Sequence, residues 1–295
     1  MYDIKTMYQA HSPEEAVKLL TEHPEAKVIA GGSDVLIQMR EGRLAGIELV
    51  SIYGIDELRG ITMEEDGTIR IGSLSSFSKV QFDPIIREHM MVLSDACREV
   101  GSPQIRNIGT IGGNTCNGIT SADSAATLLA YDAIVEILGP EGIRTTPLAD
   151  FYVTAGKVKL AHNEIQTAIL IKKESYENYK GCYFKYAMRN ALDIATSTCS
   201  VNVALEEDNK TIKDLRIAFG VAGPVPLRAR SAEEFIKGKT YDKSLLQEFA
   251  DTALGDLKPR DSWRASKDFR VHMMKEMAKR CFTKAYSDCG GEIND

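Results

Sequence analysis

Apolar positions along this chain switch between helical and strand periods, and the switch points divide it. Ala16, Val17, Leu19 and Leu20 recur at helical spacing behind Ser12-Pro13-Glu14-Glu15, a capping box with proline at the first helical position. A helix is therefore predicted from there to about His23-Pro24. Residues 27–30 and 47–52 are apolar runs of strand length and complete a small β-α-β unit. From Leu58 the pattern changes: residues 61–63, the turn Glu65-Asp66-Gly67 and residues 69–72 predict a hairpin. Asp83-Pro84 opens a helix expected to reach Val100, with Ile85, Ile86, Met90, Leu93 and Ala96 or Cys97 inward. Residues 122–131 predict another helix, 133–138 a strand, and Gly139-Pro140-Glu141-Gly142 a turn.

A third unit begins in the polar stretch 172–178. Residues 183–186, 196–205 and 212–221 predict three antiparallel strands, with a hairpin turn at Asp208-Asn209-Lys210. The remainder reads as helical: a second capping box, Ser231-Ala232-Glu233-Glu234, then residues 244–254 and 266–288. Phe269, Met273, Met277 and Cys281 recur every four residues in the last helix, and Gly290-Gly291 ends it. The expected class is α+β in units 1–56, 57–172 and 173–295. Strands do not alternate regularly with long helices, and the G-x-G-x-x-G fingerprint of the dinucleotide fold is absent.

At 295 residues the chain exceeds one typical domain, and 43% hydrophobic with 26% charged residues is the composition of a soluble globular protein. No apolar run approaches a membrane span. Met1-Tyr2-Asp3-Ile4-Lys5 lacks the basic-then-apolar order of a signal peptide, so a cytoplasmic protein is expected. The formal charge of −6 argues against a nucleic-acid surface. Cys97, Cys116, Cys182, Cys199, Cys281 and Cys289 are scattered, with no spacing suited to zinc or an iron–sulfur cluster. Buried or half-buried thiols are expected, with no metal site. If electrons pass through clusters, another chain holds them.

The candidate chemistry lies in glycines. Ala30-Gly31-Gly32-Ser33-Asp34-Val35-Leu36 follows the strand Lys27-Val28-Ile29-Ala30, and a second pair stands in Thr110-Ile111-Gly112-Gly113-Asn114. Glycines allow positive φ and close approach, so successive N–H groups can converge on an anion. Either pair alone reads equally well as an ordinary strand-to-helix turn; two together suggest a bound phosphate ester. Ser33 or Asp34 is expected to cap a short helix through Arg40, aiming its N-terminal end at the phosphates. Because a carboxylate is repelled by phosphate, Asp34 should fold back onto the following amides. Asp123 either accepts from a hydroxylated chain or sugar, or caps a helix. His11, His23, His89, His162 and His272 have no partners at useful spacing, so they read as surface or structural residues. Without acid–base machinery, a cofactor that itself carries the chemistry is the natural expectation.

The glycine stretches, Ser121-Ala122-Asp123, and Phe184-Lys185-Tyr186-Ala187-Met188-Arg189 through Asp193-Ile194-Ala195 resemble, in order, the flavin motifs of the FAD-binding subunits of molybdenum hydroxylases. Gln104-Ile105-Arg106-Asn107, Phe219-Gly220-Val221-Ala222-Gly223-Pro224 and Ser262-Trp263-Arg264-Ala265-Ser266-Lys267-Asp268-Phe269-Arg270 match as well, so the resemblance spans nearly the whole chain. It is nearest to the multi-subunit bacterial xanthine dehydrogenases. It implies a fold like vanillyl-alcohol oxidase, two α/β subdomains clasping FAD and a C-terminal α+β domain with a three-stranded sheet. It also implies a division of labour. A purine is hydroxylated at molybdopterin in a large subunit, electrons cross two-iron clusters in a small subunit, and the flavin passes a hydride to NAD, in a dimer of heterotrimers. By the same resemblance Lys27, Val28, Ile29, Ala30, Gly31, Gly32, Ser33 and Asp34, with Val35 beside them, and Thr110, Ile111, Gly112, Gly113 and Asn114 hold the pyrophosphate and ribityl region. Asp123 reaches the cofactor chain or adenosine, Ile165 and Gln166 flank the flavin, and Lys185 lies near its polar edge, where a cation favours the anionic reduced form. Val100 stands about where animal relatives carry phenylalanine, Ser33 replaces the commoner threonine, and the cysteine-rich loop of the benzoyl-CoA reductase branch is absent. The alternative is a stand-alone reductase of the same fold acting on UDP-N-acetylenolpyruvylglucosamine, for which no proton donor or nucleotide-sugar pocket is evident.

Overall fold

A computed structural model describes residues 2–293. The first of its sheets is parallel, with Ile47–Ser51 between Ile4–Gln9 and Lys27–Ile29. The helix Pro13–Glu22 crosses it, its start fixed by Ser12 Oγ accepting from the Glu15 amide at 3.1 Å. Glu15 turns its carboxylate to the His11 amide at 2.7 Å, so only one arm of the box bonds as the sequence suggested. The strand Ile4–Gln9 gave no sequence signal because no residue in it is fully buried.

The second sheet is antiparallel, in the order Ile61–Met63, Ile69–Gly72, Ile165–Ile171, Ile134–Gly139, Gly142–Pro147. Its middle strand is the last of the five in sequence, and every residue of it except Leu170 is buried. The helix expected from Asp83 to Val100 is two, Pro84–His89 and Met91–Arg98, because the backbone leaves helical geometry at Met90. A helix Phe77–Phe82 precedes them. The second glycine pair opens the helix Ile111–Asn117 and is not a loop: Thr110 Oγ1 accepts from the Gly113 amide at 3.1 Å.

The third sheet has four strands where three were expected: Lys180–Tyr186, Ser197–Leu205, Ile212–Gly220 and Leu227–Arg228. A two-residue strand is too short to show a period. The helices Arg230–Ile236, Leu245–Gly255 and Lys267–Asp288 complete this unit. The last helix buries Met274, Met277, Cys281, Phe282 and Tyr286, whereas Phe269 is exposed and Met273 only half-buried, so the four-residue repeat meets the core at Met277 and Cys281 and misses it in the first two turns. The second capping box is not used. Ser231 lies inside the helix Arg230–Ile236, whose N-cap is Ala229, and bonds Asp256, while the box carboxylate Glu234 is exposed; the neighbouring Glu233 turns inward to the Arg228 guanidinium and the Ile217 amide, because a buried guanidinium requires a carboxylate.

Leu20 and Val50 of the first unit share a core with Leu58, Leu74, Leu138 and Ile165 of the second. The two units therefore meet beneath the glycine stretches. The third sheet has its own core and is tied to the second unit by Asp132, whose carboxylate pairs with Arg216, Arg228 and Arg230.

Candidate functional site

Gly31 and Gly32 leave the strand Lys27–Ile29 at the seam between the first two units. A Cβ on Gly31 would fall 1.8 Å from the Ile108 carbonyl oxygen, and one on Gly112 would fall 2.5 Å from Ser73 Cβ. Gly31 thus lets the first stretch press against the backbone leading into the second, and Gly112 seats the second against Ser73. Gly32 is different: its φ of 74° is a left-handed conformation that side chains resist. The turn leaves the amides of Gly31, Gly32, Ser33 and Asp34 without an acceptor in the protein among the described residues. Four neighbouring unbonded amides are an anion-binding arrangement.

The following helix, Val35–Arg40, ends where expected, but the cap does not form as predicted. Asp34 is itself helical in backbone and makes no capping bond, its carboxylate instead accepting from the Gln38 side chain. That carboxylate is held by a side chain one turn on, so the free amides are not covered by it. With only six residues, the helix leaves anion binding to the amides themselves.

A cavity of about 410 Å³ lies between the two glycine stretches. All the proposed contacts from Lys27 to Val35 except Ile29 line it, as do Thr110, Gly112, Gly113 and Asn114, together with Ile165 and Gln166 from the middle strand. Ile111 is fully buried in the core. Sequence reading missed Ser73, Phe77, Cys116, Leu160 and His162 in the wall. His162 faces the carbonyls of Leu20 at 3.0 Å and His23 at 3.2 Å, partners about 140 residues away in sequence that no local pattern could reveal. Cys116 donates to Gln166 Oε1 at 3.1 Å, and burial pushes its thiol up to about 12, so it is no nucleophile. Gln166 Oε1 also lies 2.8 Å from Thr115 Oγ1, and its Nε2 is buried without a partner among the described residues. Ser73 Oγ is likewise buried and unpartnered.

Asp123 and Lys185, expected at the cofactor, lie outside that cavity and are bonded to each other. Lys185 Nζ donates to Asp123 Oδ2 and to the Glu99 carbonyl, each at 2.9 Å, and Tyr183 Oη reaches Asp123 Oδ1 at 3.4 Å. Burial raises the Asp123 carboxyl to about 6, with the Lys185 charge opposing the rise. Lys185 and Tyr183 line a second cavity of about 740 Å³ beside the free edge of Lys180–Tyr186.

The unbonded amides, the orphaned donors on Ser73 and Gln166 and a cavity between the two glycine stretches suit a phosphate-containing dinucleotide. A family model described as the FAD binding domain in molybdopterin dehydrogenase matches residues 2–172. The chain belongs to the FAD-binding subunits of the molybdenum hydroxylase family. The C-terminal domain of the CO dehydrogenase flavoprotein matches residues 182–285. The chain is 42% identical over 293 residues to the putative xanthine dehydrogenase FAD-binding subunit XdhB of Escherichia coli K12, covering 99% of this chain and all of that protein. It is 30% identical to the carbon monoxide dehydrogenase medium chain of Hydrogenophaga pseudoflava over 290 residues, 97% of this chain and 99% of that one. A solved carbon monoxide dehydrogenase from the same organism superposes with a TM-score of 0.92 at 30% identity, covering 98% and 99% of the two chains. The protein is accordingly an oxidoreductase FAD subunit of the xanthine-dehydrogenase-like type, with FAD as its cofactor. Full-length similarity to such subunits leaves the stand-alone reductase without support. Among the described residues, no helix is long and apolar enough to cross a membrane.

Proposed function

We propose that this chain carries electrons in a xanthine-dehydrogenase-type hydroxylase: it takes them from two-iron clusters of a small subunit, itself reduced by a molybdenum-binding large subunit, and delivers hydride to NAD in the cytoplasm. The fold is read as vanillyl-alcohol-oxidase-like with units 1–56, 57–172 and 173–295, in a dimer of heterotrimers. The observation that carries this reading is the row of unbonded amides from Gly31 to Asp34 facing Thr110–Asn114 across one cavity. Bound there, FAD supplies the exchange between single-electron and hydride transfer. The amides would hold the phosphates, and Gln166 Nε2 and Ser73 Oγ would donate to acceptors of the cofactor, with the close approaches of Gly31 to Ile108 and of Gly112 to Ser73 keeping the walls in place. Asp123 holds the Lys185 ammonium in place on the neighbouring face. The purine and NAD assignments draw on the resemblance and on the Escherichia coli relative's name.

Anaerobic titration of the flavin-loaded chain tests the division of labour. NADH is expected to bleach the flavin, because hydride transfer needs only this chain. Xanthine is expected to leave it yellow until both partner subunits are added. Bleaching by xanthine alone overturns the division of labour, and an NADH titration without bleaching removes NAD as acceptor.

A further inference from the structure

The helix Pro13–Glu22 is followed by Pro24, which has no N–H to give the Leu20 carbonyl four residues back. His162, from the loop before the strand Ile165–Ile171 of the second unit, meets that need. Its Nε2 lies 3.0 Å from the Leu20 oxygen and 3.2 Å from that of His23. Both neighbours are carbonyls and can only accept, so Nε2 carries the hydrogen and donates. In the neutral ring this tautomer leaves Nδ1 as an acceptor, and Nδ1 has no partner among the described residues. The next residue, Asn163, reaches Thr21 Oγ1 of the same helix at 3.4 Å, a second hold on the loop that carries the ring.

His162 is also part of the wall of the cavity of about 410 Å³, and that wall is of two kinds. Against the helix Ile111–Asn117 gather the unpartnered donors: Gly112 packs on Ser73, and Gln166 Oε1 lies against Thr115 and Cys116. Against the helix Pro13–Glu22 the wall is apolar, made of Leu20, Ala26, Val28 and Ile52, which share one core cluster. Because His162 bonds the Leu20 carbonyl, it stands at the apolar part. A flavin dinucleotide is divided in the same way. Its isoalloxazine ring carries carbonyl oxygens and ring nitrogens that accept, whereas adenine has two apolar faces and an exocyclic amino group that donates. We propose that His162 selects the adenine end of FAD: the base lies against the apolar wall, and its amino group donates to His162 Nδ1. A base with a carbonyl at that position, such as hypoxanthine, would set one acceptor against another and leave both unpaired. This rests on the reading that FAD occupies this cavity.

The test measures dissociation constants of the flavin-free full chain for FAD, for its hypoxanthine analogue and for FMN, which has no adenine, from the change in flavin fluorescence on binding. Wild type is expected to hold FAD about 10-fold more tightly than the hypoxanthine analogue, or better. His162→Ala should bring that ratio down to about 2 or less, chiefly by weakening FAD, and should leave FMN binding as in wild type. Circular dichroism verifies folding. Equal affinity of wild type for FAD and the analogue overturns the proposal, as does an unchanged ratio in His162→Ala. An equal loss of FMN and FAD in the variant also overturns it, because it marks a merely structural histidine. Ser73→Ala separates this failure from that of the cavity reading. Weaker FAD binding in Ser73→Ala with normal FAD binding in His162→Ala overturns the histidine's role alone, whereas normal FAD binding in both variants removes FAD from the cavity and the proposal with it.

Discussion

Two neighbourhoods expected to touch the cofactor differ in whether their bonding capacity is already used. Around the glycine stretches, the amides from Gly31 to Asp34, Gln166 Nε2 and Ser73 Oγ have no partners among the described residues. Around Asp123, the polar groups have found one another: carboxylate, ammonium, phenol and the Glu99 carbonyl form a closed set. The first arrangement offers free donors to a ligand; the second is paired within the protein. Residue type alone would rank them the other way, since an aspartate and a lysine look more chemical than a glycine. Unmet hydrogen-bonding capacity, which is costly when buried, is the better indicator of a binding site.

The largest expected effect comes from closing the gap between the glycine stretches. Gly31→Ala places a methyl group against the Ile108 carbonyl and should cost more than about 4 kcal/mol, with loss of both flavin and cooperative unfolding. Gly113→Ala meets only Thr110 Oγ1, at 2.8 Å, and gains helix propensity, so stability should stay within about 1 kcal/mol of wild type while flavin retention falls. Melting curves and the flavin absorbance of the purified proteins measure both. Equal behaviour of the two variants would abolish the distinction between structural and ligand-facing glycines.

Next in size is the closed set. The folded carboxyl of Asp123 binds its proton more tightly than the usual value of 3.8, so its contribution to stability is full below pH 3.8 and is lost as pH rises through about 6. Lys185→Met removes the charge that opposes this rise. The variant should therefore lose about 2–3 kcal/mol at pH 8, where wild type holds an ion pair, and much less at pH 5, where the carboxyl is protonated in both. Chemical denaturation at the two pH values decides it, and a pH-independent loss would mean that Asp123 and Lys185 do not act as a pair.

The smallest effect is the most specific. Ser73→Ala removes a buried hydroxyl that has no partner, so the flavin-free protein should gain about 0.5–1 kcal/mol while FAD binds more weakly. Opposite signs in the melting temperatures of the flavin-free and flavin-loaded forms are the expected outcome. A drop in both forms would return Ser73 to a purely structural role.

What the sequence determined by itself is what neighbours in the chain determine. Ser12 and Asp83 announce helices, Gly67 and Asn209 take positive φ at hairpin turns, and the two glycine stretches stand out because conformational freedom is a property of single residues. The family resemblance rests on such local motifs. Only the tertiary structure decided that Gly31 serves Ile108 and Gly112 serves Ser73, that Glu233 turns inward to Arg228, and that Lys185 closes on Asp123, 62 residues away. Those outcomes depend on which groups meet after folding. A linear pattern records which donors and acceptors a chain possesses, but whether one is left unpaired depends on every partner the fold brings within hydrogen-bonding distance.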